Sequence, residues 1–196
     1  MNEGICVRPV RADNVADVAG LFRNDRSTRH CWCTAFCTSS RQFTAGWFGG
    51  GNRPRFGELA TASRYPMGVL ALADDAPIGW CAVGPRSRYT VAINGRSQLL
   101  RTRPREDDDQ VWMIVCLFVN AAHRGRGITH ALVTGAVALA RREGAVAVES
   151  WPVSSSDPSA GDLFVGREKL FQSQGFECVD RPTPHRCIMR LDLRPR

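Results

Sequence analysis

A glycine-containing turn follows the most apolar run of this sequence, and the two together could bind an anion. Residues 111–119 carry almost no polar side chain, as in a strand buried on both faces, and residues 124–129 then read Arg-Gly-Arg-Gly-Ile-Thr. A helix that begins at this turn directs free N–H groups and the positive end of its dipole at a bound anion. The pattern therefore predicts a diphosphate-binding turn between a strand and a helix.

Two common nucleotide-binding loops do not fit the spacing of this turn. The order Gly-x-Gly-x-x-Gly is absent, which argues against a dinucleotide-binding fold. The order Gly-x-x-x-x-Gly-Lys-Ser/Thr of nucleoside-triphosphate loops is absent as well. Gly-rich turns serve many other ligands, so the spacing alone leaves the ligand open.

The residues after the turn predict the elements that would position it. Apolar residues recur at helical spacing from Ile128 to Ala140, and Gly144 is typical of a left-handed helix end. Residues 145–150 then read as a strand. A strand–helix–strand unit of this kind pairs its strands in parallel with a right-handed crossover, so a ligand can lie between the two strand ends.

Elsewhere the sequence predicts one domain over residues 1–196, with a long arginine-rich insertion at 85–110. Asp13 is expected to cap the first helix. The other predicted elements are a strand at 5–10, a helix at 40–48 before a loop at 49–51, a hairpin of strands 67–73 and 77–83, a linker at 152–161, a helix at 166–174 and closing strands up to 193.

The turn resembles the pyrophosphate loop of the GCN5-related N-acetyltransferase (GNAT) family, Gln/Arg-x-x-Gly-x-Gly/Ala after a buried strand. Arg124, Gly127 and Thr129 occupy the three defining positions, and Thr129 stands where the family usually has Gly or Ala. The resemblance implies an α/β (α+β) fold, with helices flanking a mixed, mostly antiparallel central sheet whose parallel core strands are splayed. It also implies transfer of an acetyl group from acetyl-CoA, the co-substrate, directly to a primary amine of a small molecule or peptide.

The same resemblance assigns the cofactor-binding residues. It gives the backbone N–H of Leu117 to the acetyl carbonyl and that of Val119 to the pantetheine arm. The complete set of expected contacts to the cofactor is Leu117, Phe118, Val119, Arg124, Gly125, Arg126, Gly127, Ile128 and Thr129.

The acid and the base are harder to place. Phe171 stands where the family has a tyrosine that acts as general acid, four residues before a Gly-Phe pair, and Val165 replaces an earlier asparagine. Glu149, at the end of the strand after the loop helix, is the candidate general base; its alternative is a solvated strand-end residue. The loss of the tyrosine also favours an alternative function, a non-catalytic module that binds acyl-CoA.

The net charge of +7 raises nucleic acid as a further alternative, an RNA-directed protein. All but one of the 26 basic residues are arginine, and those of the insertion adjoin an acidic run at 106–109. Mixed signs predict a solvated loop rather than a basic groove. The acidic residues Glu58, Asp74, Asp75 and those of the run could recruit a cationic amine or be solvated charges.

Eight cysteines at irregular spacing predict free thiols in a cytoplasmic protein that lacks both a membrane span and a signal pattern. The segment 30–33, His-Cys-Trp-Cys, together with Cys37, has three interpretations: core packing, a substrate-facing wall with Trp47 and Phe48, or a structural metal site. Core packing is favoured, no metal is expected, and a homodimer stays open.

Overall fold

The computed structural model describes residues 4–23, 25–91, 103–154, 159 and 162–194. These residues form a sheet in the order β1-β2-β3-β4-β5-β7-β6, in which only the β4–β5 pair is parallel. The strands are β1 (Ile5–Val10), β2 (Gly68–Ala73), β3 (Ala76–Pro85), β4 (Val111–Val119), β5 (Ala147–Ser150), β6 (Glu177–Thr183) and β7 (Arg186–Asp192). The helices are α1 (Val15–Arg23), α2 (Ser40–Gly49), α3 (Asn52–Ala62), α4 (Ile128–Arg142) and α5 (Glu168–Gln172). The predicted fold class, a mixed and mostly antiparallel sheet flanked by helices, is confirmed.

The two parallel strands separate after four residues. Their register pairs Val111 with Ala147 and ends with Ile114 opposite Ser150, while β4 continues to Val119. Beyond this point β4 has no partner on the β5 side among the described strands, so a gap opens between them. This β4–β5 gap is the splay that the fold class implied.

A β-bulge reorients the second half of β4. In the register with β3, Ala82 lies opposite Cys116 and Val83 opposite Ile114, so Val115 has no opposite residue. One extra residue changes which side chains face which layer. Val115 and Cys116 therefore pack in the same core, although they are neighbours in sequence.

Each face of the sheet has its own core. The first lies under α1 and α3, and the second lies under α4 and α5. Two glycines let α4 approach the sheet closely: a Cβ at Gly135 would lie 2.5 Å from Val7 Cγ1, and one at Gly79 would lie 3.1 Å from Ile128 Cγ2. The helix that carries the predicted loop is thus packed tightly against the strands.

Several local predictions are confirmed. The predicted helix at 40–48 is α2, whose Ser39 side chain accepts from the Gln42 N–H at 3.3 Å. The predicted hairpin turns at Asp74 and Asp75, which both have positive φ, as the turn of a two-residue hairpin requires. The left-handed end at Gly144 is present, with φ +84°.

Two local predictions need correction. Asp13 does not cap the first helix, because it lies inside a short 3-10 turn, where Asn14 Oδ1 accepts from the Arg11 N–H at 2.8 Å. The loop predicted at 49–51 is followed by α3, which the sequence pattern did not indicate. Its Pro54 lies in the first turn, where a missing N–H costs no hydrogen bond.

The predicted insertion at 85–110 lies only partly within the described residues, since 92–102 fall outside them. Its first residue, Pro85, ends β3, and residues 103–110 lead into β4. No helix in the described part of the chain is long and apolar enough to cross a membrane.

Candidate functional site

The turn between β4 and α4 presents a row of backbone donors. A short 3-10 turn follows Asn120, whose Oδ1 accepts from the Ala122 N–H at 3.1 Å. Gly125 and Gly127 have φ of +76° and +73°, and α4 begins directly after the second of them. The N–H groups of its first turn, residues 128–130, lack an intrahelical acceptor, as in any helix, and no side chain of the described residues caps them.

Basic side chains flank these donors. Arg124 Nε donates to the Val119 carbonyl oxygen at 3.2 Å, which holds the arginine across the end of β4. Arg124 and Arg126 are both exposed, and no acidic residue lies in the first turn of α4. The residues predicted to bind a diphosphate, 124–129, are therefore contiguous, exposed except for the buried Ile128 and half-buried Thr129, and electropositive.

The β4–β5 gap leads into this turn, and its wall is the free edge of β4. The Asn120 N–H donates to the Ile78 carbonyl of β3 at 2.9 Å. Because backbone groups alternate sides along a strand, the N–H groups of Leu117 and Val119 point away from β3 and into the gap. Both residues predicted to act through their main chain thus have the orientation that those roles require.

The segment after β5 returns along the same edge of β4. The Phe164 ring stacks on that of Phe118 with centroids 6.5 Å apart, and a Cβ at Gly166 would lie 3.1 Å from Leu117 Cδ1. Gly166 has φ +78°, which favours glycine here in addition to the short distance. This segment therefore packs against the side chains of Leu117 and Phe118.

Phe171 is placed on the same face of the sheet as α4. Its side chain is fully buried, and its ring meets that of Phe176 edge-on at 5.2 Å between centroids. The edge of the Phe171 ring also lies close to Gly166, where a Cβ would lie 2.9 Å from Phe171 Cε2. The position where a tyrosine was expected therefore holds an apolar ring with no proton to donate.

Glu149 is buried in an ion cluster rather than solvated. Its Oε2 accepts from Arg86 Nη1 at 3.1 Å, and its Oε1 accepts from Arg103 Nε at 3.1 Å and Arg190 Nη1 at 2.9 Å. The residue has no exposed surface. A carboxylate that is fully enclosed and already accepts from three guanidinium groups has no free oxygen for a substrate proton, so this environment favours a structural role over that of general base.

The same cluster corrects the prediction of a solvated, mixed-charge loop. Arg86, at the start of the insertion, is only 1% exposed and also donates to Asp107 and Asp108 of the acidic run. Burial alone would lower the pKa of the Arg86 guanidinium, but the hydrogen bond with Asp108 and the charges of Glu149, Asp108 and Asp107 raise it. Ion pairs therefore hold the described ends of the insertion against the sheet.

The cysteine-rich segment at 30–33 packs into the core under α1 and α3. The Trp32 ring, 4% exposed, lies 5.5 Å from that of Phe22 and 6.0 Å from that of Phe56. Cys33 is buried beside Cys116, and hydrogen bonding to the Cys116 thiol, with burial, raises the pKa of the Cys33 thiol. Within the described residues no group of three or more His, Cys, Asp or Glu side chains could hold a metal ion. Core packing is thus the interpretation that the structure supports for Trp32.

The other two aromatic residues of the proposed substrate wall lie on α2, and they differ in exposure. The half-buried Trp47 packs against the His30 ring with centroids 5.6 Å apart and ring planes tilted by 38°. Phe48, in contrast, is 85% exposed and contributes nothing to the core.

A cavity of about 330 Å³ opens near the other end of β4. One of its lining residues, Pro85, lies opposite Trp112, five residues before Leu117. Because Val115 is an extra residue, Pro85 lies only four residues of β3 from Cys81, the residue opposite Leu117. At about 3.3 Å per residue this is roughly 13 Å from Leu117 along the strand, too far for the cavity to hold a group that reacts there. Its other lining residues include Leu59, Tyr65, Met67, Arg88 and Asp109.

A model of the acetyltransferase (GNAT) family matches residues 32–176, which is more than half of the chain. This span includes β4, the turn at 124–129 and Phe171. No match was found among curated proteins.

Solved structures resemble the chain over nearly its full length at low sequence identity. PaiA N-acetyltransferase from Thermoplasma acidophilum, in complex with coenzyme A, is 13% identical, with 96% of this chain and 98% of that chain covered and a TM-score of 0.53. YncA from Salmonella typhimurium, solved with its cofactor acetyl-CoA, is 15% identical, with 99% and 96% covered and a TM-score of 0.52. A GCN5-related N-acetyltransferase from Kribbella flavida is 19% identical, with 98% and 100% covered and a TM-score of 0.54.

Proposed function

Because the chain belongs to the acetyltransferase (GNAT) family, we propose that it is an N-acetyltransferase that uses acetyl-CoA as co-substrate and transfers the acetyl group directly to a primary amine. The observation that carries this proposal is the β4–β5 gap ending at the uncapped start of α4. A gap with backbone donors along one wall and an electropositive turn at its mouth suits a long ligand that has a diphosphate at one point and a thioester further in.

In this proposal the turn holds the diphosphate of the co-substrate. The N–H groups of Gly125, Arg126, Gly127, Ile128 and Thr129 face its oxygens, as at other helix N-termini that bind phosphate. Arg124 and Arg126 add positive charge. The Thr129 hydroxyl donates a further hydrogen bond in place of the close backbone approach that glycine permits.

The free edge of β4 then positions the reacting group. The Val119 N–H binds the pantetheine arm beside Phe118, and the Leu117 N–H donates to the thioester carbonyl. As the amine attacks, negative charge develops on that oxygen, and a donor already aimed at it stabilises the transition state. Since these donors belong to the main chain, apolar side chains can occupy the positions.

The amine must reach the carbonyl in its neutral form, and it loses one proton when the amide forms. Glu149 is not assigned this proton, because its oxygens are bonded to Arg86, Arg103 and Arg190. We assign the proton to solvent. This predicts a rate that rises with pH until the amine is largely neutral.

A titration calorimetry experiment with coenzyme A tests the binding half of the proposal. Replacing Arg124 with Ala is expected to weaken binding about tenfold, the effect of one charge-assisted hydrogen bond. Arg142→Ala is the matched control, since it removes the same charge from the exposed far end of the same helix and is expected to change affinity less than twofold. Failure of the unaltered protein to bind coenzyme A would overturn the proposal.

A second candidate function, a module that binds acyl-CoA without turnover, is favoured by the buried phenyl ring of Phe171. Incubation with acetyl-CoA and a panel of primary amines, with mass detection of acetylated products, separates the two. Acetylated amine supports the enzyme. Tight binding without product from any amine class supports the module.

A further inference from the structure

Ser150 carries a buried hydroxyl that no residue in the described part of the chain pairs with. The residue has no exposed surface, and its Oγ makes no hydrogen bond with any residue that the structure describes. Buried hydroxyls are nearly always paired, because burial removes their bonds to water. A hydroxyl left unpaired in this way is accounted for if its partner is a bound ligand.

Its place in the fold indicates which ligand. Ser150 is the last residue of β5 and lies opposite Ile114, the last paired position before the strands separate. It therefore stands at the inner end of the β4–β5 gap, where a ligand that enters past the turn at 124–129 ends.

The side of the sheet on which Ser150 lies is also informative. Side chains alternate along a strand, so Ser150 faces the same core as Val148, the core that contains Phe171. This is the face from which the expected tyrosine would act, and Phe171 has no proton to donate there. Glu149, between Val148 and Ser150, faces the other way, into its ion cluster.

Resting on the proposed function, we propose that the Ser150 hydroxyl donates a hydrogen bond to the sulfur of the coenzyme A thioester and stabilises the thiolate that leaves. The amine nitrogen bonds to the carbonyl carbon, the carbon–sulfur bond breaks, and its electron pair stays on sulfur. Ser150 keeps its proton throughout. The amine proton passes to solvent water, and the thiolate takes a proton from solvent.

The test compares coenzyme A with desulfo-coenzyme A, which lacks the sulfur, by titration calorimetry on the native protein and the Ser150→Ala variant. The variant is expected to bind coenzyme A about fivefold to tenfold more weakly, the factor for one net hydrogen bond. Its affinity for desulfo-coenzyme A is expected to be unchanged. Ser154→Ala is the control, because that nearby serine already donates to Glu168 Oε2 at 2.6 Å and lies outside the gap.

Kinetics and stability give two further readouts. With acetyl-CoA and an active amine, Ser150→Ala is expected to lower kcat with little change in the KM of the amine, and Ser150→Thr, which keeps a hydroxyl, to restore part of the rate. The Tm without ligand is expected not to fall, since Ala removes an unpaired polar atom. A lower Tm would indicate that the hydroxyl is bonded within the protein and would overturn the inference.

The remaining outcomes distinguish a failure of this inference from a failure of the proposed function. Equal weakening of both ligands, or of neither, means that Ser150 does not contact the sulfur, although coenzyme A binds. If the native protein binds neither ligand, the proposed function fails and the inference fails with it.

Discussion

Arg86 and Glu149 form an ion pair 63 residues apart in sequence and almost without solvent contact: Arg86 Nη1 lies 3.1 Å from Glu149 Oε2, and the side chains are 1% and 0% exposed. The pair joins the start of the insertion to β5. Arg190 of β7 reaches the same carboxylate. One acidic side chain therefore connects three segments beside the strand that forms the inner end of the gap.

Removing that charge is expected to destabilise the protein strongly. Glu149→Gln leaves Arg86, Arg103 and Arg190 without their shared counter-charge, and breaking one partner of a buried pair costs about 3–5 kcal/mol. Urea unfolding measures this loss.

The matched control is Asp17→Asn, which breaks the exposed Arg8–Asp17 pair, whose side chains are 42% and 36% exposed. Exposed pairs contribute about 0–1 kcal/mol, so its effect is expected to be small. A fall in kcat of Glu149→Gln with unchanged stability would instead support the general-base role.

Even the smallest side chain at position 135, in place of Gly135, is expected to destabilise the protein. Its Cβ would lie 2.5 Å from Val7 Cγ1, so Gly135→Ala forces α4 away from β1 and is expected to cost about 1–3 kcal/mol. The control is Gly57→Ala in α3, where an added Cβ would meet no atom of the other described parts of the chain within 4 Å. Alanine is expected to stabilise the protein there by about 0.5–1 kcal/mol. Thermal unfolding checks both signs, and shortening Val7 to Ala is expected to relieve the first variant.

Protonation of Glu168 is expected to lower the free energy of unfolding at acidic pH. The hydrogen bond from Ser154, opposed by partial burial and supported by Arg181, holds the pKa of this carboxyl below its ordinary value of 4.5. A carboxyl whose folded pKa is lowered stabilises the fold above its ordinary pKa and loses that contribution as pH falls through the folded value.

The measurement is the difference in unfolding free energy between the native protein and Glu168→Gln. The difference is expected to be constant above about pH 5 and to shrink toward zero as the pH drops below about 4. Its plateau is expected to be of the order of 1 kcal/mol, because solvent screens the pair with Arg181, whose side chain is 43% exposed. A difference that grew on acidification would contradict the assignment.

Six of the eight thiols are expected to fall into two reactivity classes. Cys6 and Cys178 are exposed, whereas Cys33, Cys81, Cys116 and Cys187 are buried. Burial, with hydrogen bonding and charge from Cys178, raises the pKa of the Cys187 thiol to about 12, which leaves almost no reactive thiolate near neutral pH. Timed alkylation followed by peptide mass mapping should label the exposed pair first and the buried set only in denaturant.

The sequence predicted the part of the site that depends on local order. The apolar run of β4, the two glycines of the turn and the helical spacing of α4 are near neighbours in the chain, so their pattern alone indicates strand, turn and helix. Helix α3, which follows the loop at 49–51, is not predicted, because its apolar residues are few and Pro54 lies within it. A first-turn proline is compatible with a helix, but local pattern alone does not require one there.

The surroundings of Glu149 could not be predicted in the same way. Its partners Arg86, Arg103 and Arg190 lie 41 to 63 residues away, and in sequence each is one of many arginines. Whether the Ser150 hydroxyl finds a partner among the described residues likewise depends on what packs around it. Burial and pairing are tertiary properties, and no spacing rule encodes them.

The bulge at Val115 makes the register of the apolar run with β3 as important as its composition. Because residue 115 is the extra one, pairing the same strand with β3 without the bulge would exchange the two sides of every later position of β4. Phe118 would then turn toward α4, and the main-chain groups of Leu117 would turn from the open edge toward β3. The bulge, and not the apolar composition of the run, therefore turns the Leu117 and Val119 N–H groups to the open edge.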